Sequence, residues 1–157
     1  MKKHHLRKII FWVFISAIVI IQFFPAERND GIPYGKTDYI SSLQVNNEIK
    51  GLLENSCFDC HSNKTHAYWY DHIQPIGWWM SHHVTEGKEE LNFSEFSTYK
   101  LKRKIHKLEE IAEQIEKDEM APGYYVLIHS GTKLSDLQKE KLIGWARSEA
   151  KRIANDN

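Results

Sequence analysis

The chain holds two cysteines, and they stand two residues apart with a histidine directly behind: Cys57-Phe58-Asp59-Cys60-His61. That feature narrows what the chain can fold into. A pair so close in sequence ties no distant elements together, so this is not a disulfide-stapled secreted domain. The pair acts locally. It holds a cofactor, holds a metal, or cycles as a redox couple. Two thiols at i and i+3 on a helical turn can add across the two vinyl groups of one haem. The imidazole after the second cysteine is then set as proximal ligand to the iron. Cys-x-x-Cys-His reads as attachment of haem c for that reason, through Cys57, Cys60 and His61. A second haem would need a second such motif, and the sequence has none.

Three other readings of the pair stand beside this one. A thioredoxin-like couple sits in a βαβ context, and no strand pattern flanks Cys57. A zinc site would join Cys57 and Cys60 to two of His61, His66 and His72, at a spacing irregular for a finger. Two unmodified buried cysteines are the plainest alternative.

The N-terminus bears on the choice. Ile9 to Phe24 is apolar except for Ser16 and Gln22, follows Lys2, Lys3, Arg7 and Lys8, and ends at Pro25. As a helix it spans about 24 Å at ~1.5 Å per residue, slightly short of a ~30 Å hydrocarbon core. Leu6 and the snorkelling Arg7 and Lys8 extend it. Residues 1–24 are therefore expected to be a cytoplasmic stub and a single transmembrane anchor. The positive flank keeps the N-terminus inside and puts the rest on the periplasmic side. A cleaved signal peptide is the competing reading. Phe24-Pro25-Ala26 lacks the small residues of a cleavage site. Either way the thiols are exported, to the compartment where bacterial haem c is attached.

Beyond the anchor, residues 25–40 are rich in Pro, Gly, Asp and Asn and read as a tether. Residues 41–157 read as one all-α haem-binding domain, like a small cytochrome c. Val45, Ile49, Leu52 and Leu53 predict a helix over about 41–54. Leu101, Ile105, Leu108, Ile111 and Ile115 predict another over about 97–117, capped by Ser97 or Thr98. Its Lys102, Lys104, Lys107, Glu109, Glu110, Glu113 and Glu116 read as a solvated face. A last helix, about 135–153, begins with Ser135 and a capping-box Gln138. Between the first two, residues 62–96 show no sustained period. The stretch is expected to be a long aromatic-rich loop wrapping something flat and apolar. Trp69, Tyr70, Trp78 and Trp79 from it, with Tyr125, are the candidate haem-pocket side chains.

Composition excludes one class of partner. The formal net charge is zero, but four of the 21 basic residues precede the apolar run, leaving 17 against 21 acidic, a net −4. That balance does not suit nucleic acid. It suits a soluble domain meeting basic or neutral proteins.

The sixth position on the iron is a separate question. A thioether is a soft ligand that raises the potential. Met120 stands in the Pro/Gly-containing stretch Met120-Ala121-Pro122-Gly123, between two predicted helices, where a small cytochrome c places its ligand Met. His83 and His129 are the alternatives.

Four segments over roughly 45–148 carry a family resemblance. They are Asn55–Thr65 with Tyr68-Trp69-Tyr70; Ile73-Gln74-Pro75-Ile76-Gly77-Trp78-Trp79; His83–Lys88 with Leu91–Ser94; and Met120-Ala121-Pro122 with Tyr125, Ile128-His129 and Leu134-Ser135. Together they resemble the small haem-binding domain family of bacterial membrane-anchored proteins. The resemblance implies haem binding through Cys57, Cys60 and His61. The family's Met-Pro is here Met120-Ala121-Pro122, with the proline one residue later. The expected function is electron transfer by a monohaem protein tethered near a membrane complex, with redox proteins as partners. No catalytic set and no small-molecule substrate is visible, so no enzyme is expected. A haem-based ligand sensor is the alternative. A peroxidase-like enzyme using His82 or His83 as base stands behind it.

Overall fold

A computed structural model of the protein describes residues 2–156. Seven α-helices are present among them: α1 (Lys2–Ile21), α2 (Asn47–Ser56), α3 (Phe58–His61), α4 (Ile76–Glu90), α5 (Leu101–Glu116), α6 (Gly123–Ile128) and α7 (Asp136–Asn155). Short 3₁₀ turns join several of them. Among the described residues there is no β-strand, only one isolated bridge between Asp30 and Lys64. The domain is all-α, as expected.

Helix α1 contains a 19-residue stretch, Lys3–Ile21, with mean hydropathy 1.7 and none of it buried. By length and composition it is apolar enough to cross a membrane.

The starts of α2 and α7 follow from side chains that satisfy free N–H groups. Asn46 Oδ1 accepts from the Ile49 N–H at 2.8 Å. At α7, Ser135 Oγ accepts from the Gln138 N–H, and Gln138 Oε1 accepts in return from the Ser135 N–H at 2.8 Å. This is the capping box read from the sequence.

Two helix readings change. Helix α5 begins at Leu101, and Ser97 and Thr98 do not cap it; Lys100 precedes it without a side-chain bond. The residues just before it form a 3₁₀ turn, Phe93–Thr98, because Phe93 and Phe96 are drawn into the core and Asn92 caps the Ser94 N–H. The long loop expected over 62–96 is also not all loop. Its middle is the 15-residue helix α4. Only Gly77 and Val84 of α4 are buried, so no apolar stripe marks it in the sequence.

The stretch read as a tether is fastened to the domain along its length. Asn29 Nδ2 donates to the Ser62 carbonyl at 2.8 Å, and its own carbonyl accepts from the Thr65 N–H at 3.0 Å. The Pro33 carbonyl accepts from Ser94 Oγ at 2.7 Å. Asp38 and Tyr39 are buried, so the folded unit begins before residue 41.

The core has two parts. Leu108, Ala112 and Ile115 of α5 pack with Leu142, Ala146, Ala150 and Ile153 of α7. The other part is aromatic. Phe58 stacks on Phe93 at 5.3 Å between centroids, and Tyr39 meets both rings edge-on at 5.5 and 5.3 Å. Phe58 lies between the two cysteines. Such ring pairs contribute roughly 0.5–1.5 kcal/mol beyond area burial, so the core itself grips the cysteine turn.

Candidate functional site

Cys57, Cys60 and His61 border one cavity of about 390 Å³. That is within the ~300–1,000 Å³ range of small-molecule and cofactor sites. Helix α4 contributes His83 and Gly87, α5 contributes Ile111 and Ile115, and the stretch into α6 contributes Met120, Pro122, Tyr124 and Tyr125. The walls are mostly apolar.

His61 is oriented for ligation. Its Nδ1 lies 2.8 Å from the Gly87 carbonyl and 3.0 Å from the Leu91 carbonyl. Carbonyls only accept, so Nδ1 carries the proton and Nε2 keeps its lone pair. A bond of this kind fixes the tautomer and ring orientation of a metal-bound histidine. Burial lowers the pKa of His61, which keeps the imidazole neutral. Both thiols are pushed the other way. Burial, with the neighbouring Cys60, raises Cys57 to about 12. Burial, with Asp59, raises Cys60 to about 11. At neutral pH both are S–H groups, and neither is in a disulfide.

Gly87 makes the arrangement possible. A Cβ at this position would stand 2.8 Å from the Cys60 carbonyl oxygen and 3.3 Å from Cys60 Cβ. Only glycine lets α4 come this close to the cysteine turn and present its carbonyl to His61. Gly87→Ala is expected to push α4 away at a cost of about 1–3 kcal/mol, the usual range for overpacking. Urea denaturation measures it, and haem retention should fall in parallel.

Asp59 pins the turn from the other side. Its Oδ1 accepts from the His66 N–H at 2.9 Å, and its Oδ2 accepts from Tyr68 at 3.3 Å and from Tyr125. Burial first, then Asp59, raises the pKa of Tyr125, so the phenol stays a donor.

The structure brings together only some of the expected pocket residues. Met120, His83 and Tyr125 border the cavity; His129 does not. His129 is bonded through Nε2 to the Tyr70 hydroxyl and packs against Tyr68 and Tyr125 at 4.1 and 4.4 Å. Trp69, Tyr70, Trp78 and Trp79 lie outside the cavity wall. Trp69 is 76% exposed. Trp78 donates from Nε1 to the Phe24 carbonyl. Trp79 stands behind the wall, against His83 at 4.5 Å and Tyr124 at 4.8 Å. Tyr124 and Phe93 are aromatic wall residues outside the expected pocket set, although Phe93 belongs to the aromatic-rich stretch.

Lys107 does not belong to the solvated face expected of it. It is buried instead, borders the cavity, and bonds Glu90 at 3.0 Å and Glu110 at 2.6 Å. The sequence does carry a signal: Ile111 and Ile115 follow it at i+4 and i+8, so it lies on the apolar stripe. No group of three or more His, Cys, Asp or Glu side chains among the described residues is placed to hold a metal ion, so the zinc reading finds no donor set.

The donors fit haem: two thiols, an imidazole with a free Nε2 and a thioether share one apolar cavity. A helical domain with such a site is a haem-binding protein. The chain belongs to the haem-binding domain family, whose family model matches residues 16–148. No curated protein and no solved structure matches it.

Proposed function

We propose that the protein is a membrane-anchored monohaem cytochrome of the c type that carries electrons and is not an enzyme. The observation that carries this reading is the convergence of Cys57, Cys60, His61 and Met120 on one cavity. Cys57 and Cys60 would hold the haem covalently, each S–H adding across one vinyl double bond, sulfur to one carbon and hydrogen to the other, with no net oxidation. His61, through its free Nε2, and Met120, through its sulfur, would be the protein's donors to the iron. Bound haem supplies a one-electron Fe(III)/Fe(II) couple, with a potential raised by a thioether ligand. Lys107 keeps the carboxylates of Glu90 and Glu110 neutralised beside it.

Helix α1 holds the domain to the membrane, with the N-terminus in the cytoplasm and the haem on the periplasmic side. The basic flank of α1 supports that orientation. Partners are redox proteins met at the membrane surface.

The test is the alkaline pyridine spectrum of the purified protein. An α-band at the position of a haem with both vinyls saturated supports the reading. A band of unmodified haem, or no haem, overturns it.

One observation favours a second reading, a ligand-sensing haem. Met120 is 39% exposed, and His83 borders the same cavity with Nδ1 bonded to the Trp79 carbonyl, leaving its own Nε2 free. Carbon monoxide added to the reduced protein separates the two. An electron carrier resists it, whereas fast and complete binding supports the sensor.

A further inference from the structure

Helix α1 does not leave the domain on a free linker. Gln22, the residue after its end, is bonded to both backbone groups of Gln74: its Nε2 donates to the carbonyl at 3.0 Å, and its Oε1 accepts from the N–H at 2.9 Å. Trp78 Nε1 donates to the Phe24 carbonyl at 2.7 Å, and Ser81 Oγ donates to the Glu27 carbonyl at 3.0 Å. Gln74 is itself buried, and its Oε1 accepts from the Trp78 N–H at 3.0 Å. The C-terminal end of α1 and the N-terminal end of α4 thus form one joint.

Gly77 tightens that joint. A Cβ there would stand 2.2 Å from the Asp71 carbonyl oxygen and 3.0 Å from Gln74 Nε2. The first turn of α4 is seated directly on the residues that receive α1.

Around the joint large apolar side chains face outward. Phe23, Phe24, Ile73, Ile76, Trp78 and Trp79 are all between 39% and 78% exposed. No Asp, Glu, Lys or Arg occurs in residues 73–80, nor in 9–26. A patch of this kind on a soluble domain marks an interaction surface. Two adjacent tryptophans suit a membrane–water interface, where an indole buries its ring and keeps its N–H bonded.

We propose that this face of the haem domain rests in the interface of the bilayer that α1 crosses, with Ile73, Ile76, Trp78 and Trp79 at headgroup depth. The proposal rests on the reading of α1 as a membrane span. Continuity with α1 decides the occupant, because the joint begins at the residue after the helix and leaves no length of chain to lift the domain away. Trp79 also packs against His83 and Tyr124 of the cavity wall. Docking therefore sets the haem cavity at a fixed height and orientation above the lipid, rather than letting the domain swing.

The full-length, haem-loaded protein in phosphatidylcholine vesicles tests this. The vesicles carry a trace of phosphatidylcholine with a diazirine near the glycerol end of one acyl chain. After photolysis, lipid adducts are located by peptide mass spectrometry. Adducts are expected on α1 and on the peptide spanning 73–80. The double variant Ile73→Glu, Ile76→Glu, at two exposed positions, should lower adducts on 73–80 at least several-fold and leave those on α1 unchanged. Adducts on α1 alone overturn the docking and leave the anchor standing. Adducts on 73–80 that persist in the double variant overturn the assigned face. Absence of adducts from α1 overturns the anchor and the docking with it.

Discussion

Replacing both Cys57 and Cys60 by alanine should give a chain from which acidified acetone extracts all of the haem, where the wild-type chain retains one haem covalently. On the proposed reading two thioethers would be the only bonds to survive denaturation, so haem staining on a denaturing gel should fall from full to nothing. Each single variant should keep one bond and show an α-band between the two extremes. The cavity and His61 remain, so native double-variant protein still binds haem by ligation, with the band of intact vinyls. The fold should persist as well. Phe58, stacked on Phe93 and edge-on to Tyr39, anchors the turn independently of the sulfurs. Haem that leaves the wild-type chain in acetone would sink covalent attachment and leave haem binding intact.

Met120→Ala should lower the reduction potential by on the order of 100 mV, within the ~0.8 V that axial ligation spans. It should also abolish any sulfur-to-iron charge-transfer band and let carbon monoxide bind quickly. Met120 is 39% exposed, so the substitution leaves no sealed cavity in the core. The loss is therefore read first in spectrum and potential. His83→Ala is the matched control, because His83 borders the same cavity. A spectrum that changes with His83→Ala and not with Met120→Ala moves the distal ligand to the histidine.

Part of the site is legible in the amino-acid sequence because its chemistry is local. The cysteine spacing, the adjacent histidine, the Ser135–Gln138 capping box and the apolar run of α1 each depend on a few neighbouring residues. Features that depend on contacts far along the chain do not show there. Helix α4 carries no apolar stripe, because its buried positions are set by the cysteine turn and by Gln74 rather than by a continuous core face. Tyr39 reads as one ring in a polar tether, yet it closes the aromatic cluster around Phe58 and Phe93. Lys107 reads as one of many surface lysines, although its register places it with Ile111 and Ile115.

The class of cofactor, the candidate residues to hold it, the helical architecture and the apolar N-terminal segment are all written into the linear chain. Each rests on spacing within one turn or one helix, which the chain carries wherever it folds. Which side chains wall the cavity, beyond the sequence candidates Cys57, Cys60, His61, His83, Met120 and Tyr125, was decided by the three-dimensional packing. Packing drew in Tyr124, Phe93 and Lys107, left Trp69, Tyr70, Trp78 and Trp79 outside, and separated His129 from Met120 and His83. It had to, because the wall is made of side chains from five separate helices. Their meeting is set by long-range contacts, by the absent Cβ of Gly87 and by the aromatic cluster under the cysteine turn, none of which any single segment contains.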